Sequence, residues 1–246
     1  MKLYILRQIY IEKDKLLSLW YYLLQHKLLT MKSILFTFMV CLLSSCTSVQ
    51  QTLIPSDQPQ NEHAARYLAL INDIETGPVI TKITELRQFV VLTGRNQSHA
   101  IAEETLTHGA FEAIEAIDWM TCLDIVDEIL AMNYASLNGH YTAMVCQLES
   151  GDAVQSQYHE SVMNQLLEAV WLTGNGESLE TAFQVINRAE RDAFIEFHGL
   201  EFIKHSVTRF DGQDYDVVTL YDAQKDDTFE WYFNMSTRPK PNLKNK

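Results

Sequence analysis

The sequence predicts an α+β fold, in which a small helical bundle is followed by a three- or four-stranded antiparallel sheet with one helix. A change in hydrophobic pattern supports this prediction. Apolar residues recur at helical spacing from Glu62 to about Leu172, whereas the chain is β-rich from about Glu201 onwards. Asp211-Gly212 is a further signal, because this dipeptide between two apolar runs is typical of a β-hairpin turn.

The first predicted helices are short and are separated by turn residues. His63–Ile74 carries an apolar stripe at i, i+3 and i+4 spacing, and Gly77-Pro78 follows it. A second short helix is predicted around Ile80–Val91, with its end near Gly94.

Three longer helices complete the predicted bundle. They are placed at about Phe111–Met132, at about Leu137–Glu149, and from Asp152 to a stop at Gly174. The first two together have about the length of a tetratricopeptide unit, and Glu149-Ser150-Gly151-Asp152 is similar to the closing turn of that motif. The sequence shows one such pair, so we expect this tetratricopeptide-like pair plus a further helix rather than a solenoid.

The C-terminal part is predicted to form the sheet. A short strand at 183–186 and a helix at Arg188–Phe197 come first. Three strands follow at Glu201–Phe210, Tyr215–Asp222 and Thr228–Met235. In the last strand, aromatic residues at alternate positions predict one packed face and one face turned to water.

Residues 31–46 have the layout of a bacterial export signal. One positive residue precedes a ten-residue apolar run from Ile34 to Leu43, and a membrane-spanning helix needs about 20 such residues. Leu43-Ser44-Ser45-Cys46 resembles the lipobox of bacterial lipoproteins. The resemblance implies cleavage before Cys46 and fatty acyl chains, such as palmitate, on its thiol. Thr47, where an aspartate would favour inner-membrane retention, implies sorting to the outer membrane.

Residues 1–30 contain a second apolar patch, and two interpretations stay open. In the first, Met31 is the initiator and residues 1–30 are a start-site artefact. In the second, residues 1–30 are a real N-terminal extension that forms a hydrophobic hairpin or an uncleaved anchor. The predicted organisation is an artefact or extension at 1–30, a lipoprotein signal peptide at 31–45, a polar tether at 46–61, a helical region at 62–176, an α+β C-terminal domain at 177–235 and a disordered tail at 236–246.

The excess of acidic residues limits the kinds of ligand that the protein is expected to bind. The chain has 19 basic and 32 acidic residues. Residues 1–46 hold six of the basic and two of the acidic residues, so the processed chain has 13 against 30, a net charge of −17. Such a surface repels nucleic acid and anionic lipid, so we expect no nucleic-acid partner and membrane contact only through the N-terminal lipid.

A family resemblance rests on several C-terminal segments. They are the run from Gly174-Asn175-Gly176-Glu177 to Val185-Ile186, Gly199-Leu200, the run from Asp211-Gly212 to Val217, and Tyr232-Phe233-Asn234. Together they are similar to a family of uncharacterised bacterial lipoproteins that carry a C-terminal domain of unknown function behind a tetratricopeptide-like helical part. The resemblance covers about residues 112–235. It implies the fold above and an envelope setting, and it implies no catalytic residue.

Cys122 and Cys146 are the candidate disulfide. They lie about equally far from the turn near Asn133, so an antiparallel helix hairpin brings them level. An oxidising periplasm permits the bond. The alternative is two small buried core residues that never pair, since free cysteine is commonly buried.

Other candidate sites have simpler interpretations. The histidines at 140, 159, 198 and 205 lack the close spacing of metal ligands, so helix-packing or surface roles are favoured and no metal or cofactor is expected. Gly174-Asn175-Gly176 follows a helix and not a strand, which favours a turn over a phosphate loop. Asp214, Asp216 and Asp222 are expected on the solvent face of a hairpin. No catalytic residues are predicted.

The aromatic residues of the last strands are the remaining lead. Tyr215, Tyr221, Trp231 and Tyr232 form a candidate binding strip, since Tyr and Trp are favoured at interfaces. The sequence therefore favours a non-enzymatic, outer-membrane-anchored periplasmic module that binds an envelope protein or peptide. The competing hypothesis is an envelope enzyme or small-ligand-binding protein with a pocket between bundle and sheet.

Overall fold

The computed structural model of the protein describes residues 58–235. The predicted signal peptide, the lipidation site at Cys46, most of the tether and the C-terminal tail lie outside the described residues. The helix α1 begins at Gln58, so the last four residues of the segment predicted as tether are helical.

Eight helices lie within the described residues. They are α1 Gln58–Thr76, α2 Ile80–Leu92, α3 Arg95–Ser98, α4 Ala100–Glu115, α5 Trp119–Met132, α6 Leu137–Glu149, α7 Ala153–Trp171 and α8 Arg188–Phe197. Polar side chains fix several starts: Asp118, Ser136, Asp152 and Asn187 each accept a backbone N–H of the helix that follows. None of the helices in residues 58–235 is both long and apolar enough to span a bilayer.

The prediction of a single helix at Phe111–Met132 is wrong, because a turn at residues 116–118 separates α4 from α5. Ile117 adopts a left-handed conformation with φ of 60°. The N–H of Asp118 donates to the carbonyl of Ala113 at 2.9 Å, which closes α4. The carboxylate of Asp118 then accepts from Thr121 N–H at 3.2 Å and starts α5.

The sheet has four strands in the described part. They are β1 Phe183–Gln184, β2 Glu201–Phe210, β3 Gln213–Asp222 and β4 Asp227–Asn234, in the order β1-β4-β3-β2. The three long strands are antiparallel, whereas β1 pairs with β4 in parallel. The predicted α+β layout is confirmed, and the short first strand makes the sheet mixed rather than purely antiparallel.

The helices and the inner face of the sheet share one hydrophobic core. Phe183, Val218 and Phe233 from the sheet and Phe194 from α8 are completely buried in it, together with residues of α1, α2 and α4 to α7. The sheet therefore presents one face to the helices. The edge strand β2 lies at the side of the sheet away from β1.

Candidate functional site

The four residues of the predicted aromatic strip divide between the two faces of the sheet. Tyr232 is paired with Val217, which shares a face of β3 with Tyr215 and Tyr221. Trp231 is paired with Val218, which lies on the opposite, inner face. The four side chains therefore do not form one surface.

Trp231 belongs to an aromatic cluster inside the protein. Its ring centroid lies 5.7 Å from that of Trp171 and 5.2 Å from that of Phe183, both nearly edge-on. The indole N–H of Trp171 donates to Nε2 of His198 at 2.7 Å. Trp231 thus packs the sheet onto α7 and α8.

The three tyrosines on the outer face are not equally accessible. Tyr215 is 1% exposed. Tyr221 donates its hydroxyl to Asp226 at 2.8 Å, and this hydrogen bond raises the pKa of Tyr221. Tyr232 donates to Glu230 at 3.3 Å. The outer face therefore offers two half-buried tyrosines rather than an aromatic strip.

The outer edge of β2 is a stronger candidate. Asp211 and Gly212 have φ of 48° and 74°, and they join β2 to β3 through a two-residue turn that pairs Phe210 with Gln213. In such a hairpin, the pair next to the turn is hydrogen-bonded and later pairs alternate. The backbone N–H and C=O of His205, Val207 and Arg209 therefore point away from β3. Within residues 58–235, β3 is the one strand paired with β2.

Apolar side chains accompany these backbone groups. Phe202, Ile203, Val207 and Phe210 are 46%, 52%, 62% and 38% exposed. A long edge strand with exposed apolar residues is a template for a further strand. A register shift between Phe202 and Lys204 interrupts the pairing near its start, which leaves the stretch from His205 to Arg209 as the regular part of the edge.

A groove lies between α8 and the start of β2. Its volume is about 370 Å³, and it is lined by Asp192, Ile195, Glu196, Leu200 and Phe202. The lining combines apolar side chains with two carboxylates that stand four residues apart on α8. We refer to it as the α8–β2 groove.

Arg191 contacts two residues that line this groove and is 2% exposed. Its guanidinium forms ion pairs with Asp216 and Asp192, and its Cζ lies 5.8 Å from the ring centroid of Phe202. The expectation that Asp216 and Asp222 face solvent is wrong. Both are on the inner face of β3, where they are at least nine-tenths buried.

A second, polar cluster lies among the helices. Glu103, Asn133, Ser136, Asn187 and Glu190 line a crevice with no room for a water molecule. Burial raises the pKa of Glu103, and hydrogen bonds from Ser136 and Asn133 oppose this effect. The amide nitrogen Nδ2 of Asn187 is buried without a hydrogen-bond partner. The crevice gathers polar groups, yet it leaves no space for a substrate.

Of the four histidines considered as metal ligands, His140 and His159 contact each other in the interior of the protein. Nδ1 of His140 lies 3.0 Å from Nδ1 of His159, and Nε2 of His140 lies 2.9 Å from the carbonyl oxygen of Tyr134. Because a carbonyl only accepts, Nε2 of His140 donates to it, and Nδ1 of His140 then accepts from His159. Burial lowers the pKa of His140 to about 3 and that of His159 to about 4.

These two histidines are packed between α6 and α7, while His198 is held by Trp171 and His205 lies on the exposed edge. In the part of the chain that the structure describes, no three His, Cys, Asp or Glu side chains come together in a way that could hold a metal ion.

Cys122 on α5 and Cys146 on α6 are joined in the structure. Their Cα atoms are 6.3 Å apart and both side chains are fully buried. The pair therefore links two consecutive helices from inside the core.

The Gly174-Asn175-Gly176 segment forms a turn between α7 and β1. The N–H groups of Asn175 and Gly176 donate to the carbonyl of Thr181 at 3.0 and 2.9 Å, and the carbonyl of Gly176 accepts from Tyr232. A Cβ at Gly176 would lie 2.3 Å from the ring of Phe183. These amides serve the fold and are not directed at a ligand.

Residues 58–235 thus form an α+β fold in which one edge of the sheet has no further strand and adjoins a groove. A family model described as a domain of unknown function (DUF4919) matches residues 95–244, and the chain belongs to this family. The match begins in α3, so the family domain includes most of the helices and not only the sheet region predicted at 177–235. Comparison with curated proteins and with solved structures found no match.

The sequence did not indicate the edge or the groove. The apolar residues of β2 are spread over both faces, so alternation gives no sign of which side is open. The groove depends on how side chains of α8 pack beside the start of β2, and the sequence pattern of neither element indicates this packing.

Proposed function

We propose that this protein is a non-enzymatic lipoprotein of the outer membrane, facing the periplasm, that binds an extended segment of another envelope protein along β2. The observation that carries the proposal is the row of outward-directed backbone groups at His205, Val207 and Arg209 beside exposed apolar side chains. An added strand would satisfy these groups and cover Val207, which is the mode of binding called β-augmentation.

The N-terminal sequence supports the location. Acylation of Cys46 would anchor the chain, since each buried CH₂ contributes about 0.8 kcal/mol. From Thr47 to the start of α1 at Gln58 the chain can span at most about 40 Å when fully extended, so the domain would work close to the membrane. A buried Cys122–Cys146 disulfide is compatible with an oxidising compartment.

The alternative is an envelope enzyme or small-ligand-binding protein with a pocket between bundle and sheet. It has less support, because the polar groups that converge at Glu103 and Glu190 surround a crevice too tight for water. The open space lies instead beside the sheet edge, where two carboxylates meet apolar side chains. That arrangement suits a peptide more than a reaction centre.

Site-specific photocrosslinking tests the binding role. A photoreactive amino acid at His205, on the exposed edge, should crosslink one reproducible envelope protein. Val207→Pro removes an outward N–H while leaving the pairing with β3 intact, so it should abolish this product. Val207→Thr keeps the N–H and the branched shape and should retain it.

Two results would overturn the binding role. One is a crosslinked product that Val207→Pro leaves unchanged. The other is a product consisting of two copies of this chain, which would assign the edge to self-association. A photoreactive residue at Ile101, 82% exposed on α4, is the matched control and should give no edge-dependent product.

Intact-mass measurement of the native protein tests the anchor. The expected species begins at acylated Cys46, and Cys46→Ser should release the protein from the membrane fraction. A native chain that retains any residue before Cys46 contradicts the lipoprotein assignment.

A further inference from the structure

The α8–β2 groove adjoins the open edge at its N-terminal end. Phe202 contributes to both, because it lines the groove and belongs to β2. An extended segment paired with His205 to Arg209 would therefore bring its neighbouring residues to the groove. Ile195, Leu200 and Phe202 would meet an apolar side chain there.

The charge around the groove is negative. Asp192 and Glu196 are exposed and, at i and i+4 on α8, they lie on the same side of the helix. The buried Arg191 is already paired with Asp192 and Asp216. One cation therefore stands against three carboxylates, and Glu196 extends the negative charge toward solvent.

The cations of β2 do not cancel this charge. Arg209 lies at the far end of the strand, where its Nε is 3.5 Å from a carboxylate oxygen of Asp214. Lys204 is paired with Thr219 and shares its outer face of the sheet, away from the helices. The negative charge along this edge of the sheet is therefore concentrated at the α8–β2 groove.

We infer that the bound segment carries a large apolar side chain next to a lysine or arginine. The apolar side chain fills the α8–β2 groove, and the cation faces Glu196 and Asp192. This inference rests on the strand addition proposed above and adds the chemistry of the partner. The processed chain, with a net charge of −17, also attracts a cationic segment over longer distances.

Selection from a phage-displayed library of random linear peptides tests the inference on the detergent-purified lipoprotein. Enriched peptides should carry Lys or Arg beside a large apolar residue, and Val207→Pro should not enrich them. A synthetic peptide of the enriched sequence should lose at least about tenfold in affinity when its cation is replaced by Glu, since tenfold corresponds to about 1.4 kcal/mol.

Variants at an exposed position give the matched control. Glu196→Lys should reverse the preference between the Lys and Glu peptides, and Glu196→Gln should weaken it, while circular dichroism reports that both variants are folded. The wild type could instead bind the Lys and Glu peptides equally well, with both losing affinity for Val207→Pro. That result would overturn the preference for a cation next to the apolar side chain, and strand addition would remain supported. If the wild-type protein enriches no peptides beyond those that Val207→Pro enriches, strand addition itself is overturned.

Discussion

Arg87 and Glu190 form a buried two-pronged ion pair between α2 and α8. Arg87 Nε donates to Oε1 of Glu190 at 2.8 Å and Nη2 donates to Oε2 at 2.9 Å, although 103 residues separate them in sequence. Arg87 also donates to the carbonyls of Ala169 and Gln184, and Glu190 accepts from Ile186 N–H. This pair fastens α8 and the start of the sheet region to the N-terminal helices.

We predict that Glu190→Gln lowers the free energy of unfolding by about 3–5 kcal/mol, because it leaves the Arg87 charge buried and unpaired. Arg87→Met should lower the free energy of unfolding by a similar amount. The double variant should lower it by less than the sum of the two single effects. Urea denaturation of the four proteins measures the coupling. Glu85→Gln is the control: Glu85 pairs with Arg66 where both are partly exposed, so a loss of at most about 1 kcal/mol is expected.

We predict that stability falls as pH falls below about 6.5, because His140 and His159 are buried away from water. Their pKa values in the folded protein, about 3 and about 4, lie below the usual 6.5. The unfolded chain therefore binds protons that the folded chain excludes. Each imidazole makes folding less favourable by about 1.4 kcal/mol per pH unit between 6.5 and its folded pKa.

The pH dependence of urea denaturation between pH 7 and pH 4 checks this prediction. His159→Gln should flatten the curve, whereas His108→Gln should leave its slope unchanged, since His108 lies on the surface of α4. A wild-type curve that is flat over this range contradicts a neutral buried pair.

We predict that the native protein contains the Cys122–Cys146 disulfide and that it stabilises the fold by about 3 kcal/mol, since it closes a loop longer than 15 residues. Alkylation with and without reductant, read by mass, detects the bond. Reductant should lower the denaturation midpoint of the wild type and have no effect on the Cys122→Ala, Cys146→Ala double variant. No mass change on reduction would exclude the disulfide.

We predict that Ile117→Gly stabilises the protein by about 1 kcal/mol. A β-branched residue in the left-handed region is strained, and Ile117 is 64% exposed, so little packing is lost. Differential scanning calorimetry should show a rise in Tm of about 2–4 °C. Ile101→Gly, in the first turn of α4 where Ile101 is 82% exposed, should instead destabilise the protein by at most about 1 kcal/mol, because glycine is a weak helix former.

Local signals accounted for much of the fold. The helices predicted at Leu137–Glu149 and Arg188–Phe197 have the bounds that the structure shows, with glycines soon after their ends as stop signals, and Asp211-Gly212 indicated the hairpin. The break at Ile117 was missed because isoleucine gives no stop signal. Asp118 followed three residues later by Thr121 was the available sign of a new helix start.

The candidate site was less accessible from sequence. Alternation placed Trp231 and Tyr232 on opposite faces, yet the strip prediction grouped them by residue type. Which strand lies at the edge depends on β1 inserting beside β4, a contact between residues about fifty positions apart. The partners of Arg87 and Arg191 are likewise set by packing over long sequence separations.

The position of β4 has a consequence for how the protein matures. This strand lies between β1 and β3, yet it is the last of the four to be synthesised. Until residues 227–234 emerge, the hairpin of β2 and β3 has two open edges, and Phe183 lacks its partner Phe233. A chain that ends before β4 would therefore be prone to aggregate, because both edges of this hairpin would stay unpaired.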